Sequence, residues 1–252
     1  MDQTLMENTK PVLLDNVAHH DLRLITGHSA DFGDAVNQVR VYPNEFGEVQ
    51  REYPIFFRRD AQGAFHAVAL LGFDRDENLF LDGKGGDGEG WKARYVPAVL
   101  SRGPFLLGFR EGGDGGDNGP MMLIDPGHPR VSRSAGEPLF LPHGGNAPVL
   151  EHHLQVMRTL HQGMQMNDAV FAAWMEAGLL APVRLDIRID DTLGYDIPDL
   201  FSISGEALAQ LDGVVLTRLN EHGYLALAFQ VMASLGNVQH LVKLKTRKRL
   251  GA

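Results

Sequence analysis

Two histidines stand next to an aspartate in the stretch VAHHDLRL, residues 17–24. In a β-strand the side chains alternate between two faces, so His19 and Asp21 would share one face and His20 would lie on the other. A histidine and a carboxylate on one strand, completed by a distant histidine, form the ligand set of many non-haem Fe(II) oxygenases. If residues 18–25 form a strand, the pattern therefore raises the hypothesis of an Fe(II) site.

The third ligand of such a site would come from elsewhere in the chain. His66 is the best candidate by type because it lies in the strand-like segment AFHAVALL, and His128 and His143 are alternatives in loops. The chain contains 11 histidines, so a two-residue match has little specificity. The simpler interpretation, which the sequence favours, is that His19 and Asp21 belong to the polar outer face of a strand.

Another pair of adjacent histidines occurs in EHHLQ, residues 151–155. Neighbouring residues of a helix point about 100° apart, and the spacing of the HExxH zinc motif is absent from the sequence. We therefore predict that this pair is exposed on the surface of a helix.

No other sequence pattern marks a catalytic site. The GxSxG nucleophile elbow and the phosphate-binding GxxxxGK[ST] loop are absent. The chain has no cysteine, which excludes disulfides, thiolate metal sites and a cysteine nucleophile. Its net charge of −9 argues against general nucleic-acid binding, because that needs a basic surface. The sequence favours a protein with no catalytic activity and no cofactor, although a site built from scattered residues would leave no motif.

Aromatic residues are concentrated between residues 46 and 80. We expect most of them to form the core of a β-rich region. If some line an open groove instead, that groove could hold a peptide or another apolar ligand. The candidates for such a groove are Phe46, Tyr53, Phe56 and Phe65.

The segments that would position these residues are of two kinds. Short apolar runs separated by turns predict strands in the first hundred residues, and AQG between PIFFRRD and AFHAVALLGFD predicts a hairpin. From Ala147 onward, apolar residues recur every three or four positions, which predicts a long amphipathic helix that ends near Gly178. The predicted stripe of this helix is Leu150, Leu154, Met157, His161, Met164, Asp168, Phe171 and Met175.

The fold class that follows is α+β, with a β-rich, mostly antiparallel N-terminal half packed with a helix-rich C-terminal half. A partly open barrel is one arrangement of the strands. The Gly- and Asp-rich residues 111–120 predict a flexible loop between a β-rich region, residues 1–110, and a mainly helical region, residues 121–252. A single domain is the alternative. The last helix, from about Tyr224 to Leu235, is apolar nearly all round and is expected in the core.

The ends of the chain bear on its location. The N-terminus lacks the apolar segment of a secretory signal, and no run reaches the ~18 apolar residues of a membrane helix. We therefore expect a cytoplasmic protein. The segment KLKTRKR, residues 243–249, has five bases among seven residues. It predicts a solvated tail or, alternatively, contact with an anionic membrane surface, which would place the protein at the periphery of the inner membrane.

Several segments, taken in order, carry a family resemblance. They are VLLDNVAHHDLRL, NEFGEVQREYPIFF, AVALLGFDRDENLFLD, YVPAVLSRGPFLLG, MLID, GEPLF, AGLLAPVRLDIRI and LALAFQVMASLGNVQHLVKL. In this order they resemble the SapC family of bacterial proteins over nearly the whole chain. The resemblance implies a Gram-negative bacterial protein associated with surface-layer systems. It implies no reaction, cofactor or catalytic residue.

These observations predict a soluble accessory or binding protein, without catalysis of its own, in a bacterial cell-envelope, surface-layer or uptake pathway. Its expected partner is a peptide or a protein. The alternative hypothesis is a metal-dependent oxygenase that uses His19, Asp21 and one of the distal histidines.

Overall fold

The computed structural model describes residues 10–81, 90–109 and 120–251. The chain divides into two compact units, and each is assembled from three stretches of sequence. Unit 1 comprises Met1–Asp34, Leu81–Lys92 and Ala98–His161. Unit 2 comprises Ala35–Phe80, Ala93–Pro97 and Gln162–Ala252.

The described residues form short strands and helices of very different length. The strands are β1 (Val12–Leu13), β2 (Arg23–Leu24), β3 (Gln38–Val41), β4 (Ile55–Arg59), β5 (Phe65–Leu70), β6 (Phe105–Phe109), β7 (Pro120–Ile124), β8 (Val131–Ser132), β9 (Glu137–Pro138), β10 (Leu180–Arg188) and β11 (Gly194–Ile203). The α-helices are α1 (Phe46–Val49), α2 (Ala98–Ser101), α3 (Pro148–Glu176), α4 (Gly205–Ala209), α5 (Gly213–Glu221), α6 (Tyr224–Ser234) and α7 (Asn237–Leu250). Turns of 3₁₀ helix occupy Ala30–Phe32 and Pro43–Glu45.

Unit 1 contains two small antiparallel sheets, with strand orders β1-β7-β6 and β8-β2-β9. The two-residue strand β2 is held in place by backbone hydrogen bonds beyond its own pairs. Leu139 N donates to Leu22 O at 3.0 Å, and Ile25 N donates to Arg130 O at 2.9 Å. Residues 148–161 of α3 also belong to this unit, and the helix begins at Pro148, where the missing N–H costs nothing.

Unit 2 is built on a five-stranded antiparallel sheet with the order β10-β11-β4-β5-β3. The hairpin predicted at AQG is confirmed between β4 and β5, where Gly63 has the left-handed φ of 84° that glycine adopts most easily. On β4, the ring of Phe57 lies 5.0 Å from that of Phe171 and 5.5 Å from that of Trp174. Burial of each such ring stabilises the unit by roughly 1.5–3 kcal/mol.

The α+β class predicted from the sequence is confirmed, with antiparallel sheets in the N-terminal half and helices in the C-terminal half. In residues 10–81, 90–109 and 120–251 the sheets do not close into a barrel. Residues 110–119, which hold nearly all of the predicted loop, lie outside the described residues. The domain boundaries predicted around that loop stay a prediction.

The strand predicted over residues 18–25 is wrong for most of its length, because residues 16–21 form a turn. The Asp15 carboxylate accepts hydrogen bonds from the backbone of Val17 and Ala18, both at 2.8 Å. A short polar side chain that bonds the backbone in this way favours a turn over a strand. The alternation of strand faces therefore does not apply to His19 and Asp21.

Helix α3 confirms the long helix and its end before Gly178, but its buried face is rotated from the predicted stripe. Met164 and Met175 are 47% and 52% exposed. The indole of Trp174 is buried and donates from Nε1 to Tyr224 O at 3.2 Å. A buried indole contributes more apolar area than a methionine, so its packing sets the rotation of the helix. Buried positions that the stripe omitted are Val149, His153, Leu160, Gly163, Val170 and Trp174.

Helix α6 is less buried than its composition predicted. Its buried residues are Ala228, Val231 and Ser234, whereas Phe229 is 53% exposed. Its buried contact is partly polar, since Ser234 Oγ accepts a hydrogen bond from Ile55 N at 2.9 Å. The expectation of a core helix is therefore wrong for at least one face of α6.

Candidate functional site

The two residues of the His-x-Asp pattern are engaged in contacts within unit 1. Asp21 accepts two hydrogen bonds from Arg133 Nη1, and the guanidinium holds the pKa of this carboxyl below its usual value. His19 Nδ1 accepts from Asp15 N at 3.2 Å. Both side chains thus take part in local polar structure.

The distal histidines proposed as third ligands lie in separate places. His66 is on β5 of unit 2, opposite Arg58 of β4, and burial lowers its pKa. His128 Nδ1 accepts from Arg130 N at 3.1 Å, and His143 is exposed. Among the residues that the structure describes, no group of three His, Cys, Asp or Glu side chains could hold a metal ion. The Fe(II) hypothesis stays a prediction.

The four aromatic residues proposed for a ligand groove are all buried in unit 2. Phe46 and Tyr53 are 0% exposed, Phe56 is 2% exposed and Phe65 is 6% exposed. The Tyr53 hydroxyl donates to Tyr95 O at 2.5 Å, so its one polar atom is also satisfied internally. These rings occupy core positions, which is where the sequence placed most of the aromatic cluster.

A different set of residues surrounds an open cavity of about 270 Å³ in unit 1. We call it the Arg130 cavity. Several of its residues come from the loops around β2, β8 and β9, and others come from α2 and the first turns of α3. They are Thr26, His28, Ser101, Arg130, Glu137, Val149, His152 and His153.

Arg130, which immediately precedes β8, supplies the positive charge of the cavity wall. Its Nη2 lies 2.5 Å from Asp34 Oδ2 and 3.0 Å from His28 Nδ1. The side chains of Arg130 and Asp34 are each 3% exposed. A buried charge without a partner would be strongly destabilising, so the buried Asp34 carboxylate compensates the guanidinium.

The backbone around this ion pair fixes its position. Ser29 N donates to Asp34 Oδ2 at 3.1 Å, and Arg130 O accepts from Ile25 N at 2.9 Å. The Phe32 ring lies 5.1 Å from Arg130 Cζ, a distance at which a cation–π contact is favourable. Arg130 is therefore held by a hydrogen bond to its backbone, by the ion pair at its guanidinium and by the Phe32 ring on one face of that group.

His153 of α3 forms another part of the wall and is 6% exposed. Its ring centroid lies 4.9 Å from that of Phe105 on β6. Burial lowers the pKa of His153 to about 4, with smaller contributions from His152 and Arg130. The imidazole is therefore neutral near pH 7.

Gly103 lies close to the side chains of both Arg130 and His153. A Cβ at this glycine would lie 3.7 Å from Arg130 Nη1 and 4.0 Å from His153 Cε1. Gly103 has a φ of 55°, in the left-handed region that favours glycine. The two polar side chains thus both approach Gly103, which has no side chain of its own.

Two buried atoms in this wall have no hydrogen-bond partner among the described residues, Arg130 Nε and His153 Nδ1. Most buried polar atoms in proteins are paired, so an exception calls for an explanation. An unpaired buried donor or acceptor costs about 1–3 kcal/mol. Both atoms have almost no accessible surface, so the polar groups that the cavity offers to a ligand belong to its exposed residues, Thr26, Glu137 and His152.

No pattern in the sequence predicted this site. His153 was predicted to be exposed, and this is wrong, although its spacing of three from Leu150 and four from Met157 already placed it on the buried stripe. Arg130 lies 96 residues from Asp34 and 102 residues from His28 in the sequence. No local spacing signal could have joined them.

The comparisons with known proteins were made on the whole sequence. No curated protein and no solved structure matches the chain. The SapC family matches residues 14–241, a range that includes every residue in the wall of the Arg130 cavity. The match covers nearly the whole chain, and the protein therefore belongs to the SapC family.

Proposed function

We propose that this protein is a non-catalytic binding protein and that the Arg130 cavity of unit 1 is its ligand site. The observation that carries the proposal is an open cavity of about 270 Å³ whose wall combines the exposed polar residues Thr26, Glu137 and His152 with the buried Arg130 and His153. A polar ligand would form hydrogen bonds with the exposed groups, whereas an apolar ligand would desolvate them without offering a partner. The proposed ligand is therefore small and polar.

The chemistry of the wall supports binding rather than catalysis. Ser101 and Thr26 are its hydroxyl groups, and in the described part of the chain neither hydroxyl is hydrogen-bonded to a histidine or a carboxylate. An activated nucleophile needs such a base within hydrogen-bond reach. The place of this binding protein in a cell-envelope, surface-layer or uptake pathway is what membership of the family implies, and it is part of the proposal.

A thermal-shift screen with small polar metabolites tests the binding function. Ligands that bind only the folded state raise the melting temperature by mass action, so hits are expected with the wild type. Two variants should abolish the shifts: His153→Leu removes the unpartnered nitrogen, and Thr26→Trp places a large side chain at an exposed position of the wall. Val17→Trp is the control, because Val17 is 80% exposed in unit 1 outside the cavity.

Two outcomes of the thermal-shift screen would contradict the proposal. If hits shift the Thr26→Trp and His153→Leu proteins as much as the wild type and the Val17→Trp control, the ligand binds elsewhere. If no polar metabolite shifts the wild type, the Arg130 cavity is not a site for a small polar ligand.

A second candidate function is the peptide or protein partner that the sequence predicted, bound on unit 2. Three apolar side chains on α5 and α6 are unusually exposed: Val214 at 81%, Leu216 at 39% and Phe229 at 53%. Exposed apolar patches commonly mark interaction sites.

The charges of α7 favour a protein partner over an anionic membrane. By length and composition Tyr224–Leu250 is apolar enough to span a bilayer. Of the bases in residues 243–249, however, Lys245 and Lys248 pair with Glu77, and Arg249 pairs with Asp190. Pairing lowers the charge available to attract lipid headgroups.

Site-specific photo-crosslinking in producing cells tests this second candidate. A photoreactive residue at position 229 should give one partner band that Val214→Lys removes, whereas the same residue at the exposed position 220 of α5 should give none. Equal crosslinking at both positions would contradict a specific partner. Flotation with anionic vesicles that salt abolishes would point to a membrane instead.

A further inference from the structure

Resting on the proposed function, we propose that the ligand of the Arg130 cavity is a neutral polyhydroxy compound about the size of one monosaccharide or cyclitol. The proposal names the chemical class that the wall is built to recognise. This class follows from the charges, the hydrogen-bonding groups and the size of the cavity.

The charges of the wall argue against an anionic ligand. Arg130, the one permanent cation among the described residues of the wall, already lies 2.5 Å from the buried Asp34 carboxylate. Glu137, whose residue is exposed, adds a negative charge to the wall. An incoming carboxylate or phosphate would thus meet the Glu137 carboxylate and a guanidinium that is already paired, so desolvation of the anion would have little compensation.

The hydrogen-bonding groups of the wall suit hydroxyls. The Glu137 carboxylate accepts, and the imidazole nitrogens of His152 donate or accept according to the tautomer. A hydroxyl group both donates and accepts and rotates to suit its neighbour, so it can pair with either group. The hydroxyls of Thr26 and Ser101 offer further partners in the same wall.

The size and polarity of the cavity limit the ligand further. About 270 Å³ lies below the range of roughly 300–1,000 Å³ that holds drug-sized ligands. Val149 is the sole aliphatic residue among the described residues in the wall. The cavity therefore suits one small ring with several hydroxyls better than a long or apolar molecule.

NMR titration of the full-length protein tests this class directly, with the Arg130 Nε–H resonance and the His153 ring as reporters. The probes are glucose and myo-inositol as neutral polyols, glucuronate and inorganic phosphate as anions, and cyclohexanol as an apolar ring. We expect saturable shifts at both reporters with at least one neutral polyol. We expect glucuronate to bind at least tenfold more weakly than glucose, and cyclohexanol not to shift either reporter.

Two variants sharpen the test without touching the buried ion pair. Thr26→Val keeps the shape of the side chain and removes its hydroxyl, so the affinity for the neutral polyol should fall severalfold. Glu137→Gln removes the negative charge of the wall, so the discrimination between glucose and glucuronate should shrink. Val17→Trp again serves as the control and should change neither affinity.

The outcomes separate the inference from the proposed function. Tighter binding of glucuronate or phosphate than of every neutral polyol, with shifts at Arg130 and His153, would overturn the inference and leave the ligand site intact. The same holds if the thermal-shift hits that depend on His153 contain no polyol. If no probe shifts either reporter and no hit depends on His153, both the inference and the proposed function fail.

Discussion

Two groups of buried charges, one in each unit, differ in how fully their polar atoms are paired. In unit 2, the Lys245 ammonium donates to Glu77 Oε1 at 2.7 Å and also to Asp74, while Lys248 reaches the same Glu77 oxygen at 2.9 Å. In unit 1, the Arg130 cavity pairs Arg130 with Asp34 but leaves Arg130 Nε and His153 Nδ1 unpartnered among the described residues. The charged groups of unit 2 pair with one another, whereas Arg130 and His153 of unit 1 line a cavity.

The difference shows how a structural cluster can be told from a binding site. Burial raises the pKa of Glu77, but the hydrogen bonds from Lys245 and Lys248 outweigh it, so the net effect is a lowered pKa. Glu77 Oε2 also accepts from Phe73 N at 3.3 Å. Such a carboxylate has its oxygens occupied and offers nothing to a ligand. The Arg130 cavity contains comparable charges with part of their hydrogen-bonding capacity unused.

Breaking the ion pair of the Arg130 cavity should have the largest effect. Arg130→Met leaves the Asp34 carboxylate buried without its cation, and we expect the free energy of unfolding to fall by about 3–5 kcal/mol. The measurement is urea unfolding at pH 7. The double variant Arg130→Met with Asp34→Leu should recover most of the loss, because apolar pairs can replace buried ion pairs. A loss below about 1 kcal/mol in the single variant would show that Asp34 has other adequate partners.

The buried histidine should make stability depend on pH in a defined window. The pKa of His153 is lowered to about 4 in the folded protein, whereas an unfolded histidine titrates near 6.5. The unfolded state therefore binds more protons between pH 6.5 and 4, and the folded state loses stability as pH falls through this window. The shift corresponds to an order of magnitude of about 3 kcal/mol.

His153→Leu removes this pH dependence while keeping an apolar side chain of similar size. We expect the difference in unfolding free energy between the variant and the wild type to shift in favour of the variant as pH falls from 6.5 to 4. His143→Leu, at an exposed position of the same unit, should show no such trend. A difference that stays constant across the window would contradict the buried, neutral state of His153.

Removing a cation from the ion-pair cluster of unit 2 should lower the free energy of unfolding less than removing Arg130. Lys245→Met removes one cation, but Lys248 still donates to Glu77, so the carboxylate keeps a partner. We expect a loss of about 1–3 kcal/mol in urea unfolding. Lys243→Met is the matched control on α7, because Lys243 has no ion-pair partner in the described part of the chain. Equal losses for Lys245→Met and Lys248→Met would show that the cluster does not depend on the more buried lysine.

The smallest effect is expected at the His-x-Asp pattern, whose residues are near the surface. Asp21→Ala removes an exposed contact with Arg133, and exposed ion pairs contribute little. The melting temperature should therefore change little. Elemental mass spectrometry after anaerobic loading with iron tests the oxygenase hypothesis on the same protein. About one iron per chain in the wild type, lost in His19→Ala and Asp21→Ala, would support a metal site there.

Features that depend on residues close together in the sequence were predicted better than features that depend on residues far apart. The β4–β5 hairpin and the end of α3 near Gly178 depend on a few neighbouring residues. Each was predicted because turn chemistry and helix capping are local. The turn at residues 16–21 was missed, since the Asp15 carboxylate competes locally with an apolar run that reads as strand.

The order and spacing of residues along the chain were enough to predict the family, the α+β class and the periodicity of the long helix. The buried face of α3 depends on tertiary packing, because packing around large side chains such as Trp174 sets the rotation of a helix. Tertiary packing also brings Arg130, His28 and His153 to one cavity and places Asp34 beside Arg130. Charges and hydrogen bonds act over a few ångströms in space, and residues far apart in sequence leave no pattern that predicts such a meeting.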